Sequence, residues 1–478
     1  MDDHLLVFNG IDATTGDYLL PPMTVKQAAR FFGAHQPDPD HLAELRWWRR
    51  RAAEAFFGPR EGVDPKSLAE SGWGVIFAHD ADPAIREAMA GLLEHRRREA
   101  GRAHEHYYRE FVREDGYRPG ETKQQFLARH GAGPGPADPD RVPYYLLIVG
   151  DPASIPFSFQ YQLDVQYAVG RIHFDAPEGY ANYARSVVAA ETGGVPHSRR
   201  AAVFAARNPG DRATSLSSAE LAMPLAESLR KEHADWSVEA LVGEHATKRG
   251  LADLLGGGQA PTLLFTATHG VGFPKDHPCQ LRDQGALVCQ DWPGPGPGRD
   301  ALAEDHYFSG DDLDSNASLL GLISFHFACF SAGTPQWEDF APGDPTRRME
   351  LAPHPFVGSL PQRLLGHPRG GALGVVGHVE RAWGYSFLWP QVGRQTEVYR
   401  SCLERLIDGH PVGSAFEYFN QRYAELSCDL SAALEDAKFR KHPDYLSLSG
   451  IWTANNDARG FAILGDPAVR LLTQTAAE

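Results

Sequence analysis

From residue 144 onward the sequence alternates short apolar runs with segments of helical character, and this alternation limits the fold more than any other feature. The pattern is typical of a sheet covered by helices on both faces. Strands are predicted at residues 144–149, 201–206, 238–242, 262–268, 319–328, 372–376 and 461–464, and helices at 217–232, 248–254, 360–365, 391–407 and 413–426. We therefore predict an α/β fold, an α/β/α sandwich with a mostly parallel central sheet.

The residues before this alternation show a different sequence pattern. A Gly/Pro-rich linker at 131–140 (GAGPGPADPD) predicts a boundary between residues 1–140, a helix-rich, smaller mixed α/β accessory region, and residues 141–478, the main domain. Within the first part we expect helices at 25–57 and 83–114 and a buried strand at 73–78.

The chain is acidic. Its 478 residues carry 46 basic and 62 acidic side chains, a net charge of −16, so we expect no nucleic-acid partner. Two basic runs, 46–51 (RWWRRR) and 96–98 (RRR), are either solvated helix faces or docking surfaces for a partner.

Cysteine usage and the chain start indicate a reducing, cytoplasmic setting. The five cysteines are irregularly spaced without a CxxC pair, which favours neither a disulfide framework nor a zinc site. The start MDDH lacks a basic residue, so no signal peptide is expected. No apolar run reaches the length of about 18 residues that a membrane span needs, so no membrane partner is expected.

Two predicted strands end in residues able to do chemistry. His269 follows one strand and Cys329 ends another, and the carboxyl ends of parallel strands converge on one crevice. A cysteine needs a nearby base to form thiolate at neutral pH. Gly270 leaves its backbone N–H approachable, as an oxyanion donor requires. A buried structural cysteine and a simple His-Gly turn are the alternatives.

Six short motifs surround this pair in a fixed order. They are YLLIVGDP (145–152) with Ile155-Pro156, YAVGRI (167–172), TATHG (266–270), ACFSAG (328–333), GALGVVG (371–377) and LGDP (464–467). Over residues 144–470 they resemble the caspase-like (clan CD) cysteine peptidases, most closely the gingipain-like branch, related to the CHAT-domain proteases. The resemblance implies a caspase-like sandwich in which Cys329 attacks the scissile carbonyl and His269 polarises the substrate or assists proton transfer.

The same resemblance implies a specificity pocket. Asp164 lies near the position of a pocket acid in Arg-specific members, and a carboxylate there would select Arg or Lys before the cut. Trp383 matches an aromatic wall of that pocket. The alternatives are a surface or turn carboxylate for Asp164 and ordinary core packing for Trp383. The interval of 60 residues between His269 and Cys329 is longer than is usual in the family, because a Gly/Pro stretch at 292–299 lengthens it.

Other chemistries lack their motifs. The sequence has no GxxxxGK[ST] or strand-linked GxGxxG for nucleotides and no GxSxG elbow for a serine hydrolase. No cofactor or metal site is predicted, although calcium is left open because some family members bind it.

We therefore predict a cysteine-type endopeptidase, a hydrolase acting on a protein or peptide substrate, with a regulatory protein partner left open. By family analogy alone it would be a regulated effector protease, for example in bacterial defence. Self-cleavage is expected at 291–318 or at 131–140. The alternative is a catalytically silent caspase-like signalling or scaffold module that binds a protein partner; residues 1–140, which match no motif, and their two Arg runs favour it.

Overall fold

The computed structural model describes residues 5–6, 9–24, 27, 58–193, 198–256, 260–296, 301–338, 349–389, 392–439 and 445–471. The predicted helix at 25–57, apart from residue 27, and the basic run at 46–51 lie outside these residues.

Ten of the described strands form one central sheet. They are β1 Trp73–Phe77, β2 Tyr108–Phe111, β3 Tyr145–Val149, β4 Ala168–Ile172, β5 Arg200–Ala205, β6 Ser237–Val242, β7 Leu263–Ala267, β8 Ile323–Phe327, β9 Gly374–His378 and β10 Phe461–Gly465. Across the sheet the order is β2-β1-β3-β4-β10-β9-β8-β7-β5-β6.

The sheet consists of two parallel halves that run in opposite directions. Only β9 and β10 pair antiparallel among these strands, and every other neighbouring pair is parallel. The edge at which β7 and β8 end, here called the β7–β8 edge, is therefore also the edge at which β10 and β4 begin. The predicted fold class, an α/β sandwich with a mostly parallel sheet, is confirmed.

Helices connect the strands. In chain order they are α1 Leu68–Ser71, α2 Pro83–Ala88, α3 Ala90–Ala100, α4 Lys123–Arg129, α5 Phe157–Asp164, α6 Pro177–Thr192, α7 Arg212–Ser217, α8 Met223–Glu232, α9 Lys248–Gly256, α10 Gln280–Asp283, α11 Ser359–Leu365, α12 Glu397–Ile407, α13 Val412–Ala415, α14 Glu417–Phe439 and α15 Tyr445–Gly460. A π-helical turn, Ser218–Ala222, joins α7 to α8. None of the described helices is both long and apolar enough to cross a bilayer.

The strands of the sheet centre are buried along their whole length. Every residue of β3, β4 and β7 to β10 is buried, which explains why they read as unbroken apolar runs in the sequence. The outermost strand β6 is exposed or half-buried at each position.

The predicted N-terminal region contributes β1 and β2 to this same sheet, with β1 pairing directly to β3 across the 131–140 linker. Its role as an accessory region remains a prediction. The single helix predicted at 83–114 is wrong: helix α3 ends at Ala100, and Tyr108–Phe111 forms β2. The fully buried β1 needs strand neighbours on both sides, and that pairing outweighs the local helical pattern.

A small four-stranded sheet lies beyond the end of β7. Its strands, in spatial order, are Tyr307–Phe308, Leu287–Val288, Gly270–Gly272 and Gly10–Asp12. The last of these belongs to residues 9–24, here called the N-terminal strap, and it pairs in parallel with Gly270–Gly272. Residues near the start of the sequence thus lie at the β7–β8 edge, about 260 residues away along the chain from the strand with which they pair.

Candidate active site

Strand register brings His269 and Cys329 to the same place. Ala267 of β7 pairs with Phe327 of β8, and each of the two candidate residues follows its strand by two positions. The Thr268 N–H donates to the Phe327 carbonyl at 3.1 Å, which carries the pairing past the strand ends. The two residues that the sequence singled out therefore follow neighbouring strands at the β7–β8 edge. Their catalytic roles stay predictions.

Gly270 touches the Cys329 backbone. A Cβ atom added to Gly270 would lie 1.8 Å from the Cys329 carbonyl oxygen and 2.9 Å from its nitrogen. Only glycine allows two backbones to pass this closely. Gly270 is thus beside the cysteine, where an oxyanion donor would need to be.

Asp211, which the sequence analysis did not single out, holds the imidazole of His269. Its Oδ2 lies 2.8 Å from Nε2 of His269, and both side chains are buried. Burial opposes ionisation of this carboxyl, but the charge and hydrogen bond of His269, together with bonds from Thr214 and Tyr18, hold its pKa well below the usual range. An ionised Asp211 accepts from Nε2–H, so the deprotonated form of the ring carries its lone pair on Nδ1. Nδ1 has no hydrogen-bond partner among the described residues.

The position of Asp211 follows from the sheet order. It is the N-cap residue of α7 and accepts from the backbone N–H groups of Ala213 and Thr214, each at 3.1 Å. In sequence it looks like an ordinary helix cap after the turn Asn208-Pro209-Gly210. Only the adjacency of β5 and β7, which chain order does not show, places this cap next to His269.

Two aromatic rings enclose the imidazole further. The ring of Tyr18, from the N-terminal strap, lies 5.8 Å from that of His269, and Trp292 lies at 5.7 Å, both edge-on. The Tyr18 hydroxyl donates to Oδ1 of Asp211. Trp292 opens the Gly/Pro stretch that lengthens the His-to-Cys interval, and it is buried.

The thiol of Cys329 is buried and has no contact with solvent. The residue is 0% exposed, and its Sγ accepts a hydrogen bond from the Ala382 N–H at 3.2 Å. Burial raises the pKa of this thiol to about 12, and the Ala382 N–H and the charge of Arg381 offset only part of that effect. His269 Nδ1 makes no hydrogen bond to Sγ. At neutral pH the thiol is therefore protonated and shielded in this arrangement.

A sharp turn follows the cysteine. Phe330 adopts a left-handed conformation with φ of +58°, and its N–H donates to the Glu380 carbonyl at 2.6 Å. The Ser331 hydroxyl accepts from the His378 N–H at 2.9 Å. These bonds join the Cys329 turn to the end of β9, which fixes the position of the thiol relative to the sheet.

The predicted pocket residues lie at the same edge but are enclosed. Trp383 is buried in an apolar cluster that also contains Val165, the residue after Asp164. Asp164 is 5% exposed, and its carboxyl accepts from the Val169 N–H at 3.2 Å. Burial raises its pKa well above the usual range. Both residues are thus buried by the part of the chain that the structure describes, and both assignments remain predictions.

One group of described side chains has the composition of a metal site, but it does not suit calcium. His95, Glu99 and Glu191 have ligand atoms within 4.8 Å of one another. Calcium prefers six to eight oxygen ligands. Here one ligand is an imidazole, and both carboxylates are already bound by Nη1 of Arg96, at 2.8 and 2.7 Å. Arg96, predicted on a solvated face or docking surface, is instead buried and also bonds Asp466 at 2.7 Å.

Comparisons with known proteins give structural likeness only. No protein-family model matches the chain. A search of curated proteins finds no match either. Similar solved structures include the Arg-specific cysteine proteinase gingipain R (13% identity, TM-score 0.47, 87% of this chain and 81% of that one). They also include a complex of the pro- and mature domains of Porphyromonas gingivalis RgpB (14%, 0.43, 84% and 80%) and the Saccharomyces cerevisiae separase–securin complex (11%, 0.30, 68% and 16%).

Gingipain R is thus among the solved structures to which this chain is similar. At 11 to 14% identity the likeness concerns the fold and leaves the chemistry open. The relation to CHAT-domain proteases stays a prediction.

Proposed function

We propose that this chain is a cysteine endopeptidase that uses Cys329 as nucleophile and His269 as proton-transfer residue. The observation that carries the proposal is the arrangement of His269. Its Nε2 is held by buried Asp211, while Nδ1 has no hydrogen-bond partner among the residues that the structure describes, at the strand end next to that of Cys329. Structural histidines normally have both ring nitrogens satisfied when buried.

The proposed reaction proceeds through a thioester. Nδ1 of His269 takes the thiol proton, and Sγ of Cys329 forms a bond to the scissile carbonyl carbon. The C–N bond breaks and the leaving amine receives the proton from His269. Water then attacks the thioester, releases the carboxylate product and restores the thiol. The N–H groups of Gly270 and Cys329 would stabilise the oxyanion, and Asp211 would keep the ring oriented.

We further propose that the enzyme cleaves after Arg or Lys. The support is the location of Asp164 at the end of α5, on the β7–β8 edge, with Val165 and Trp383 in one apolar cluster. A role as a regulated effector protease, for example in bacterial defence, belongs to this proposal by family analogy. So does a regulatory protein partner.

One observation favours the second candidate, a catalytically silent module. Cys329 is completely buried, its thiol pKa is raised by burial, and no hydrogen bond joins it to His269. A module that only binds a partner can keep this thiol buried permanently, whereas a peptidase must expose it to the substrate.

Cleavage of a peptide library separates the two candidates. Wild-type protein, Cys329→Ala and Cys402→Ala are compared at neutral pH, with and without calcium. Cys402 is an apt control, because it is equally buried and burial raises its thiol pKa to about 12 as well. We expect cleavage by wild type and Cys402→Ala and none by Cys329→Ala. Undiminished cleavage by Cys329→Ala would contradict the assignment.

A further inference from the structure

The N-terminal strap passes directly over the thiol. A Cβ added to Gly10 would lie 3.2 Å from Sγ of Cys329. The N–H of Asn9 donates at 3.4 Å to the carbonyl of Ala382, the residue whose own N–H bonds Sγ. The strap backbone therefore occupies the space in front of the candidate nucleophile.

The strap also engages the histidine side of the site. Tyr18 bonds Asp211 and packs its ring edge-on against His269. The Ala13 N–H donates to the Gly272 carbonyl at 2.9 Å, two residues beyond Gly270. A Cβ on Gly272 would lie 2.5 Å from the side chain of Leu19, so the strap folds back closely over this strand. One segment thus contacts the surroundings of both dyad residues.

A third contact fills the region around Trp383. Leu20 and Met23 of the strap belong to the buried apolar cluster that contains Trp383, Val165 and Tyr385. Leu20 is 2% exposed and Met23 is 9% exposed. The candidate specificity region is therefore occupied by side chains of the chain itself.

The geometry of the contact is that of an added edge strand. Gly10–Asp12 pairs in parallel with Gly270–Gly272, at the outer edge of the small sheet. Extended peptides commonly bind proteins by adding a strand to such an edge. A scissile carbonyl must also come within about 3–3.5 Å of the attacking atom. The strap already occupies that sheet edge and the space next to Sγ of Cys329, so a substrate and the strap cannot bind there at the same time.

We propose that residues 9–24 are a built-in inhibitory strap that occupies the substrate site and must leave before Cys329 can react with a substrate. The inhibitory role of the strap rests on the proposed peptidase function. That the strap covers the thiol can be tested even if the protein cleaves no peptide.

The test measures alkylation of Cys329 by iodoacetamide in the full chain, followed peptide by peptide with mass spectrometry. Cys402 in the same molecule is the internal reference, because it shares the burial and the raised thiol pKa of Cys329 but belongs to helix α12. The strap variants are Leu20→Asp and Met23→Asp. The matched control is Leu448→Asp. The exposed fraction of Leu448, 7%, is similar to that of Met23, 9%, but Leu448 lies in a separate apolar cluster.

We expect Cys329 to react at least tenfold faster in both strap variants, with the rate of Cys402 unchanged and Leu448→Asp behaving like wild type. A synthetic peptide of residues 9–24, added in excess to Leu20→Asp, should slow Cys329 again. Should the Asp variants fold poorly, Tyr18→Phe, which removes only the hydroxyl bond to Asp211, is expected to accelerate Cys329 in the same direction.

Equal rates for Cys329 in wild type and all strap variants would overturn the inference, as would parallel acceleration of Cys402. Peptide cleavage is measured on the same samples. Faster labelling without any cleavage supports the strap and counts against the peptidase assignment. Efficient cleavage with unchanged labelling supports the peptidase and rejects the strap.

Discussion

Oδ2 of Asp211 lies 2.8 Å from Nε2 of His269, across 58 residues of sequence, and both side chains are buried. The contact joins the cap of α7, a helix that follows β5, to the second residue after β7, and β5 and β7 are neighbours in the sheet. It gives the imidazole a single orientation, with Nδ1 as the nitrogen available for proton transfer.

Replacing Asp211 by Asn should impair turnover rather than substrate binding. Asn still caps α7 but no longer fixes the imidazole by charge, so we expect kcat to fall by roughly 10²- to 10⁴-fold while KM stays nearly constant. Steady-state kinetics on a cleaved peptide measure this, and Asp211→Glu should recover part of kcat. A change confined to KM would show that Asp211 acts on binding instead.

The same carboxyl should make stability depend on pH. Its pKa in the folded protein is below the usual value near 3.9, so the unfolded chain binds the proton more readily. The stabilisation is present above that value and is lost as the pH falls through and below it. We expect Asp211→Asn to cost roughly 3 kcal/mol of unfolding free energy at pH 7.

That difference from wild type should shrink steadily below about pH 4. Urea unfolding of both proteins at several pH values measures it. A cost that does not vary between pH 7 and pH 3 would mean that the charge of Asp211 plays no part.

Gly270→Ala should destabilise the protein. The added methyl group would lie 1.8 Å from the Cys329 carbonyl oxygen, which neither backbone can relieve without moving. We expect a loss of about 3 kcal/mol in unfolding free energy. Gly91→Ala is the control, since nothing lies within 4 Å of its added Cβ in helix α3, and it should be neutral or stabilise by up to about 1 kcal/mol. Equal unfolding midpoints for the two variants would refute the close approach.

Asp164→Asn should test the proposed preference for basic residues. If the carboxyl receives Arg or Lys, kcat/KM for peptides with these residues before the cut should drop by about 30-fold or more, and neutral peptides should be unaffected. Because burial raises the pKa of Asp164, wild-type activity on basic peptides should climb well above the pH at which an ordinary Asp has ionised. Identical profiles for wild type and variant would leave Asp164 as a structural acid that bonds Val169.

The interior of the fold was accessible from sequence. The predicted bounds of β3 and β7 agree with the structure to within one residue at each end. Both strands are buried at every position, and a strand buried on both faces appears in the sequence as a continuous apolar run. Tyr108–Phe111 was assigned to a helix, because its strand conformation depends on pairing with β1 and not on its own pattern.

The candidate site was accessible only in part. His269 and Cys329 are singled out by their residue types at strand ends together with the ordered motifs that resemble a known family, and a single sequence displays both. Asp211 looks like any helix cap, and Gly10 and Tyr18 look like turn residues near the chain start. Their significance arises from strand adjacency and from the strap crossing the β7–β8 edge, which are long-range relationships with no local signature.

The reversal of the sheet between β9 and β10 gives the β7–β8 edge two electrostatic characters. Beside His269, the amino end of helix α7 already holds an anion, because the Ala213 and Thr214 N–H groups donate to the carboxylate of Asp211. On the side of Asp164 and Trp383, helices α5 and α15 arrive with their carboxyl ends, immediately before β4 and β10, and such ends favour cations. One half of this edge therefore stabilises an anion that belongs to the chain itself, the carboxylate of Asp211, and the other half offers helix ends that favour cations.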